Sequence, residues 1–462
     1  MSALQTETRA PAALGLSTLA SPVLATILLL VTMFLRYPIR SAAVFPVELF
    51  TMVFAALVIA TVLWMDRTPT RLRGIGAVEW AMAAYVVWNV YSMLAPHQYA
   101  AVDVMTGEPF SAPRFIVVST VIPFALYVIG RYAFDRASAV RALFWAILTL
   151  AAYSAVVSIM PVVGLSDWVW PRYIVMIENP SWAGRAVGIF NQPVVNGMVL
   201  ALGLAIAMLL LSRRDEPGWR RCLAFVVAVA CGCGIYLTLT RAAWLCAVAV
   251  LIIGALLAKG FRQGFITVLY LVTAAVLFNW STFTSADRNA GGVASDVEVQ
   301  TRLNDIQTAL WAAAREPIEG WGIGRFGVVN TYHHQQWAPD VLWSNGYGEV
   351  MHQNELGILA ELGAIGLAAW LCVLMLLAYR LWDAYKRLPD HDLCGKPLTV
   401  IAIMALAILV CTGLTVDLRY FDFPTAVIFL LIGITIGWSD RRKNGPVAAG
   451  GDSAEQVRPQ HA

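Results

Sequence analysis

The sequence MHQNELGILAELGAIGLAAWLCVLMLLA, residues 351–378, joins a polar stretch to an apolar run long enough to cross a bilayer. About 20 apolar residues in a helix span the hydrocarbon core of a membrane. The polar part contains His352, and the apolar run contains the carboxylate of Glu361. Because polar chemistry would meet a membrane at this junction, it is the first place to look for an active site.

The composition of the whole chain excludes an ordinary soluble domain. Hydrophobic residues make up 59%, charged residues only 13%, and the mean hydropathy is +0.68. We predict an all-α polytopic membrane protein with about 12 transmembrane helices. The predicted spans are residues 15–35, 43–65, 77–95, 115–133, 138–160, 187–211, 222–239, 242–258, 264–280, 356–378, 398–416 and 424–438. A large, partly helical outer loop, residues 281–355, separates the ninth span from the tenth.

The positions of the basic residues predict the orientation of these spans, since cytoplasmic loops are enriched in Lys and Arg. With a cytoplasmic N-terminus and a retained first span, the inner loops hold 19 of the 32 Lys and Arg residues. Residues 1–442 then form a single transmembrane domain. Residues 443–462 are rich in Gly, Ala and Pro, which predicts a disordered cytoplasmic tail.

Several arginines break this pattern, and the candidates among them lie outside or at the outer ends of spans: Arg185, Arg241, Arg302, Arg325 and Arg419. An arginine near a membrane is costly unless it is paired or hydrated, and guanidinium groups suit phosphate oxygens. Arg185 precedes a broken helix start, and Arg241 lies in a very tight turn. The alternative is that these side chains reach lipid headgroups or form ion pairs with Asp287, Asp305, Glu319 or Asp417.

His352 is the candidate general base. The positive end of a helix dipole lowers the pKa of a histidine and favours the neutral ring, which can accept a proton from a hydroxyl. A polar helix cap is the alternative for His352, and internal polar packing is the alternative for Glu361. The outer segments contain no His, Cys and Asp cluster at ligand spacing, so we predict neither a metal nor a cofactor.

Two further patterns lie in the outer loop. Residues Thr301 to Arg315 place apolar side chains at helical spacing (Leu303, Ile306, Leu310, Ala314), which predicts an amphipathic helix against the membrane face. In Gly320-Trp-Gly322-Ile-Gly324, the alternate glycines predict close backbone approach and turns with positive φ. We reject a dinucleotide site there, because no strand precedes the glycines.

In chain order, these landmarks resemble the O-antigen ligase and polymerase superfamily of bacterial envelope glycosyltransferases. The matching pieces are Arg185 to Pro193, Leu239 to Trp244, Arg302 to Phe326, His352 to Leu356, and Ala360 to Gly366. The resemblance implies that His352 activates the acceptor hydroxyl and that Arg185 and Arg241, with Arg302, bind a diphosphate. The other candidate substrate-binding residues at matched positions are Arg325, Asn191, Asn354 and Glu361. Members often have Asn directly after the histidine; here Gln353 intervenes before Asn354, so the residue that orients the imidazole stays open.

The resemblance implies an O-antigen ligase-like enzyme of lipopolysaccharide biosynthesis in the bacterial inner membrane. Its donor would be a glycan on undecaprenyl diphosphate, and its acceptor a hydroxyl of lipid A-core at the periplasmic face. We expect a metal-independent, inverting displacement and no nucleic acid partner. The alternatives are a polymerase that joins lipid-linked repeats, a protein O-oligosaccharyltransferase and, from another class, a secondary transporter, although no half-by-half repeat is visible.

Overall fold

The computed structural model describes residues 21–36, 49–67, 74–104, 106–176, 182–285, 296–340 and 349–443. Its main helices are α1 (Pro22–Phe34), α2 (Leu49–Arg67), α3 (Ala77–Leu94), α4 (Ala112–Ala133), α5 (Ala137–Ile159), α6 (Pro193–Ser212), α7 (Gly218–Leu237), α8 (Arg241–Leu257), α9 (Arg262–Phe278), α10 (Asp296–Arg315), α11 (Phe326–Tyr332), α12 (Asn354–Arg387), α13 (Lys396–Gly413) and α14 (Asp422–Lys443). Short helical turns lie at Ser166–Trp168, Arg172–Ile174, Gly188–Phe190, Trp280–Phe283 and Leu418–Tyr420. The described part contains no strand, only one isolated bridge between Val102 and Pro109.

The chain divides into two compact units, residues 1–74 and residues 75–462. In the first unit, α1 packs against α2. All other helices belong to the second unit, which contains every candidate site residue.

The apolar helices show a multi-pass membrane protein. Eight helices of the described part are long and apolar enough to cross a membrane, and α1, α8 and α9 are shorter apolar helices. Every predicted span overlaps one helix, with α3 matching the third. The number of crossings and their orientation stay predictions. The predicted disordered tail lies outside the described residues, except for Lys443.

The core of the second unit is formed by α6, α13 and α14, which are the most buried of the apolar helices. Glycines allow α14 to contact α4 backbone to backbone. A Cβ atom on Gly433 would lie 2.1 Å from the carbonyl oxygen of Tyr127, and one on Gly437 would lie 2.1 Å from that of Arg131. Small residues at helix contacts are typical of membrane bundles, where packing rather than the hydrophobic effect brings helices together.

An ion-pair network closes one end of this unit. Arg131, at the end of α4, pairs with Glu79 of α3 and with Asp440 of α14. Asp440 also accepts a hydrogen bond from Arg380, near the end of α12, at 2.5 Å. Because Arg380 lies late in α12 and His352 lies just before its first turn, His352 is at the opposite end of that helix.

Candidate active site

His352 lies two residues before α12, with 33% of its side chain exposed. Its Nδ1 atom is 3.1 Å from Oδ2 of Asp305, a completely buried residue of α10. Because an ionised carboxylate only accepts hydrogen bonds, Nδ1 carries a proton, and Nε2 of the neutral ring holds the lone pair. Nε2 is therefore the nitrogen that can take a proton from another molecule.

The pKa of His352 is raised above its ordinary value of 6.5. Burial acts to lower this pKa, but the hydrogen bond and negative charge of Asp305 raise it by more. The charge of Glu349 also raises the pKa, and the positive charge of Arg302 lies close enough to oppose it. The expected lowering of this pKa by the helix start is therefore wrong in direction, because the carboxylate outweighs it.

Asp305 belongs to a row of completely buried polar side chains on one face of α10, together with Asn304 and Thr308. Nδ2 of Asn330 donates to Oδ1 of Asp305 at 3.2 Å. Oδ1 of Asn330 is in turn 3.2 Å from Nδ1 of His334. The two oxygens of Asp305 are thus held from opposite sides, one by Asn330 and the other by His352.

The other two members of the row hold the segment 335–337 along α10. Oγ1 of Thr308 accepts from the backbone N–H of Gln335 at 2.9 Å, and Oδ1 of Asn304 accepts from that of Trp337 at 2.6 Å. Buried polar side chains are costly unless they are hydrogen-bonded, so these contacts stabilise the packing of the outer segment.

The predicted amphipathic helix is confirmed as α10, but its apolar stripe is less buried than its polar face, although Ile306 of the stripe packs against a buried apolar cluster. The inward face carries the polar row with Ala309 and Ala312. Leu303 and Ile306 are only partly buried, and Leu310 is exposed. Contact of this stripe with a membrane stays a prediction.

A second buried carboxylate, Glu361, lies in an ion-pair cluster. Its Oε2 accepts from Nη1 of Arg419 at 2.7 Å, and Arg419 also donates to Asp417 at 2.6 Å. Oε1 of Glu361 accepts from the backbone N–H of Phe326 at 3.0 Å. Both oxygens of Glu361 are therefore engaged within the protein, and its role in substrate binding stays a prediction.

The glycine-rich segment packs against a break in α12. Gly363, inside that helix, has a φ of 66° and a ψ of −170°. The backbone N–H of Trp321 donates to Ala360 O at 2.9 Å, and that of Gly322 donates to Glu361 O at 2.8 Å. A Cβ atom on Gly320 would lie 2.6 Å from the Glu361 carbonyl oxygen. The predicted close approach and positive φ values are confirmed; Gly320 approaches backbone, whereas Gly322 and Gly324 approach the side chains of His97 and Phe110.

Two of the predicted substrate-binding side chains also have partners inside the protein. Arg325 donates from Nε to the carbonyl oxygen of Tyr99 at 2.8 Å, and from Nη1 to that of Ile323 at 3.2 Å. Oδ1 of the buried Asn354 accepts from the backbone N–H of Leu418 at 3.2 Å. The side chain bonded to the imidazole is Asp305. Substrate binding by Arg325 and Asn354 stays a prediction.

The structure brings Arg185 and Arg241 to the same turn. Arg185 donates from Nε to the carbonyl oxygen of Thr238 at 3.1 Å and from Nη2 to Oγ1 of Thr240 at 2.6 Å. Arg241 follows directly as the first residue of α8 and is partly buried. Its guanidinium makes no hydrogen bond or ion pair with any residue in the described part of the chain. One arginine thus shapes the turn, whereas the other is available to a ligand.

The broken helix start after Arg185 is confirmed. The short turn Gly188–Phe190 ends at Asn191, whose φ of 50° is left-handed, and α6 begins at Pro193. The side chain of Gln192 caps the helix by accepting from the N–H of Val194 at 2.6 Å.

The starts of α6 and α8 meet at one apolar cluster, and the start of α12 is linked to it through Leu418. Val194 at the start of α6, Ala242 at the start of α8 and Val416 form one apolar cluster. Two residues beyond Val416, Leu418 bonds to Asn354 at the start of α12. Helix starts carry a partial positive charge, so this gathering favours an anion.

The part of the chain that contains several of these candidate site residues matches a known family. Residues 223–371 fit the family model described as O-antigen ligase. This match supports membership of the O-antigen ligase superfamily. The matched part contains Arg241, Asp305 and His352, whereas Arg185 and Asn191 precede it. No curated protein matches the chain.

The matched family indicates a function of the O-antigen ligase or polymerase type, in polysaccharide biosynthesis. Within that family setting, the structure pairs His352 with Asp305 and places Arg185 beside Arg241. It places Glu361 and Arg325 among protein partners. Across the described ranges, no group of three or more His, Cys, Asp and Glu side chains could hold a metal ion, so no ligand set can be named.

Proposed function

We propose that the protein is an O-antigen ligase-type glycosyltransferase of the bacterial inner membrane. It moves a glycan from undecaprenyl diphosphate to a hydroxyl of lipid A-core at the periplasmic face. The observation that carries this proposal is the partly exposed ring of His352. Its Nδ1 is engaged inside the protein, which leaves Nε2 for the acceptor.

The diphosphate of the donor binds where the helix starts gather. Arg241 supplies a guanidinium that no described residue occupies, and Arg185 fixes the turn on which Arg241 stands. Arg302, close enough to affect the titration of His352, places a further positive charge near the base. Charge-assisted hydrogen bonds from arginine to phosphate are among the strongest in proteins and suit this anion.

The transfer is one displacement at the anomeric carbon of the donor sugar. The acceptor oxygen forms the new bond to this carbon while the bond to the phosphate oxygen breaks, and the electron pair leaves with the diphosphate. His352 Nε2 takes the acceptor proton, and the arginines stabilise the charge that develops on the leaving group. Attack from the face opposite the leaving group inverts the anomeric configuration. No step requires a metal ion.

The decisive experiment separates the acceptors. Purified protein is incubated with lipid-linked glycan and with lipid A-core, a second lipid-linked glycan, or a Ser- and Thr-containing peptide. We expect only lipid A-core to be glycosylated, with one undecaprenyl diphosphate released per transfer. Elongation of the lipid-linked glycan would identify a polymerase instead, and glycosylation of the peptide would identify a protein O-oligosaccharyltransferase.

A further inference from the structure

We propose that Asp305 is the positioning residue of this site, which fixes the tautomer of His352 and stabilises the imidazolium that forms when the acceptor loses its proton. The expected effect of Asp305 on glycan transfer rests on the proposed function, whereas its expected effect on the titration of His352 does not. Neither residue is near the other in sequence, and only the fold brings the two side chains to 3.1 Å.

The surroundings of Asp305 fit a positioning role. Its side chain is completely buried, and its second oxygen accepts from Asn330, so the carboxylate cannot turn away from the histidine without losing a hydrogen bond. The ring of His352, by contrast, is partly exposed. A buried carboxylate that meets an exposed imidazole holds the ring in one orientation and leaves its far nitrogen accessible.

The charges around the ring point the same way. Asp305 from α10 and Glu349 from the preceding segment favour the protonated ring, whereas Arg302 from α10 opposes it. Nδ1 of His334 lies 3.2 Å from Oδ1 of Asn330, whose Nδ2 donates to Asp305. Of the two acids, only Asp305 makes a hydrogen bond to His352 in the described structure, so its removal has the larger effect.

The test measures the titration of His352 without relying on transfer activity. Diethyl pyrocarbonate modifies neutral imidazoles, and mass spectrometry of the digested protein gives the rate at each histidine as a function of pH. In the wild-type protein, we expect the rate at His352 to rise with a midpoint above pH 6.5, the ordinary value for a histidine.

The variant Asp305→Asn keeps the size of the side chain but removes its charge. We expect its His352 midpoint to move to lower pH, because the hydrogen bond and charge that raise the pKa are weakened or lost. Glycan transfer should fall on the order of 100-fold in kcat, with KM little changed and the acid limb of the pH profile at lower pH. The direction follows from the base acting in its neutral form, which persists to lower pH once the pKa falls.

Thr308→Val is the matched control, because Thr308 is an equally buried polar residue of α10 that bonds to Gln335 and not to His352. It should lower thermal stability without moving the His352 midpoint. The proposal is overturned if wild-type His352 titrates at or below pH 6.5, or if Asp305→Asn leaves both the midpoint and kcat unchanged. A shifted midpoint in a protein that transfers no glycan would support the role of Asp305 toward the ring and refute the proposed function.

Discussion

Two buried carboxylates, Asp305 and Glu361, have opposite kinds of partner. Asp305 faces a histidine whose ring is partly open to solvent, whereas Glu361 faces Arg419, which is itself buried. The ring of the first pair is accessible, so that pair could exchange a proton with a bound molecule. In the second pair, both carboxylate oxygens of Glu361 and the guanidinium of Arg419 already bond to protein groups. Both acids are buried, so the two pairs differ in the exposure of the partner. This difference predicts a chemical role for Asp305 and His352 and a packing role for Glu361 and Arg419.

The largest effect should come from the open pair. Replacing His352 by Ala removes the base and should lower glycan transfer by about 10²–10⁴-fold. Because the ring is partly exposed, the thermal unfolding temperature should change little. The assay is release of undecaprenyl diphosphate from the lipid-linked donor. Transfer at the wild-type rate would show that another group accepts the proton.

Disrupting the buried pair of Glu361 and Arg419 should reduce the stability of the fold. Arg419→Ala leaves Glu361 and Asp417 as uncompensated buried charges and should destabilise the fold by about 3–5 kcal/mol. Size-exclusion profiles and thermal unfolding in detergent measure this loss. If Arg419→Ala keeps its stability but loses transfer, the assignment of this cluster to packing is wrong.

Arg185 and Arg241 differ in the same way, since Arg185 bonds to protein groups and Arg241 does not bond to any described residue. Arg241→Ala should lower transfer about 100-fold and leave stability unchanged, since no described residue bonds to its guanidinium. Arg185→Ala should lower both, because it removes the bonds to Thr238 and Thr240. Parallel thermal unfolding and donor-binding measurements separate the two outcomes. Equal stability losses would contradict the distinction.

The smallest effect concerns the break in α12. Gly363→Ala should destabilise the protein by about 1–3 kcal/mol, since the residue has positive φ and its Cβ would lie 2.1 Å from the carbonyl oxygen of Ile318. Gly232→Ala in α7 is the control, because a Cβ there meets nothing within 4 Å, and it should be neutral or slightly stabilising. Thermal unfolding of both variants tests the pair.

The helices could be predicted from sequence, because apolar runs are local signals. The misplaced arginines and His352 are local signals as well, but the site that they indicate stays a prediction. The pairing of Asp305 with His352 could not be predicted, since it joins positions 47 residues apart. A signal was nevertheless present: Asn304, Asp305 and Thr308 form a polar row beside the apolar stripe of the same helix. The apolar stripe is the stronger periodic pattern in this segment, and it obscures the polar row that faces the interior.

The raised pKa of His352 is a second property that could not be predicted from the sequence alone. The helix start was visible in the sequence, but the acid that outweighs it comes from another element. Likewise, Glu361 could be identified as a carboxylate in an apolar run, whereas its partner Arg419 lies 58 residues away. Charges that meet through the fold decide both cases.

The junction between the glycine-rich segment and α12 has a consequence for how this protein can change over time. The bonds of Trp321, Gly322 and Ala364 across the break run between main-chain atoms, so side-chain replacement alone cannot remove them. Only proline at a donor position, or a larger residue at Gly320 or Gly363, disrupts the joint. Side chains around this joint can therefore change while its main-chain bonds are preserved.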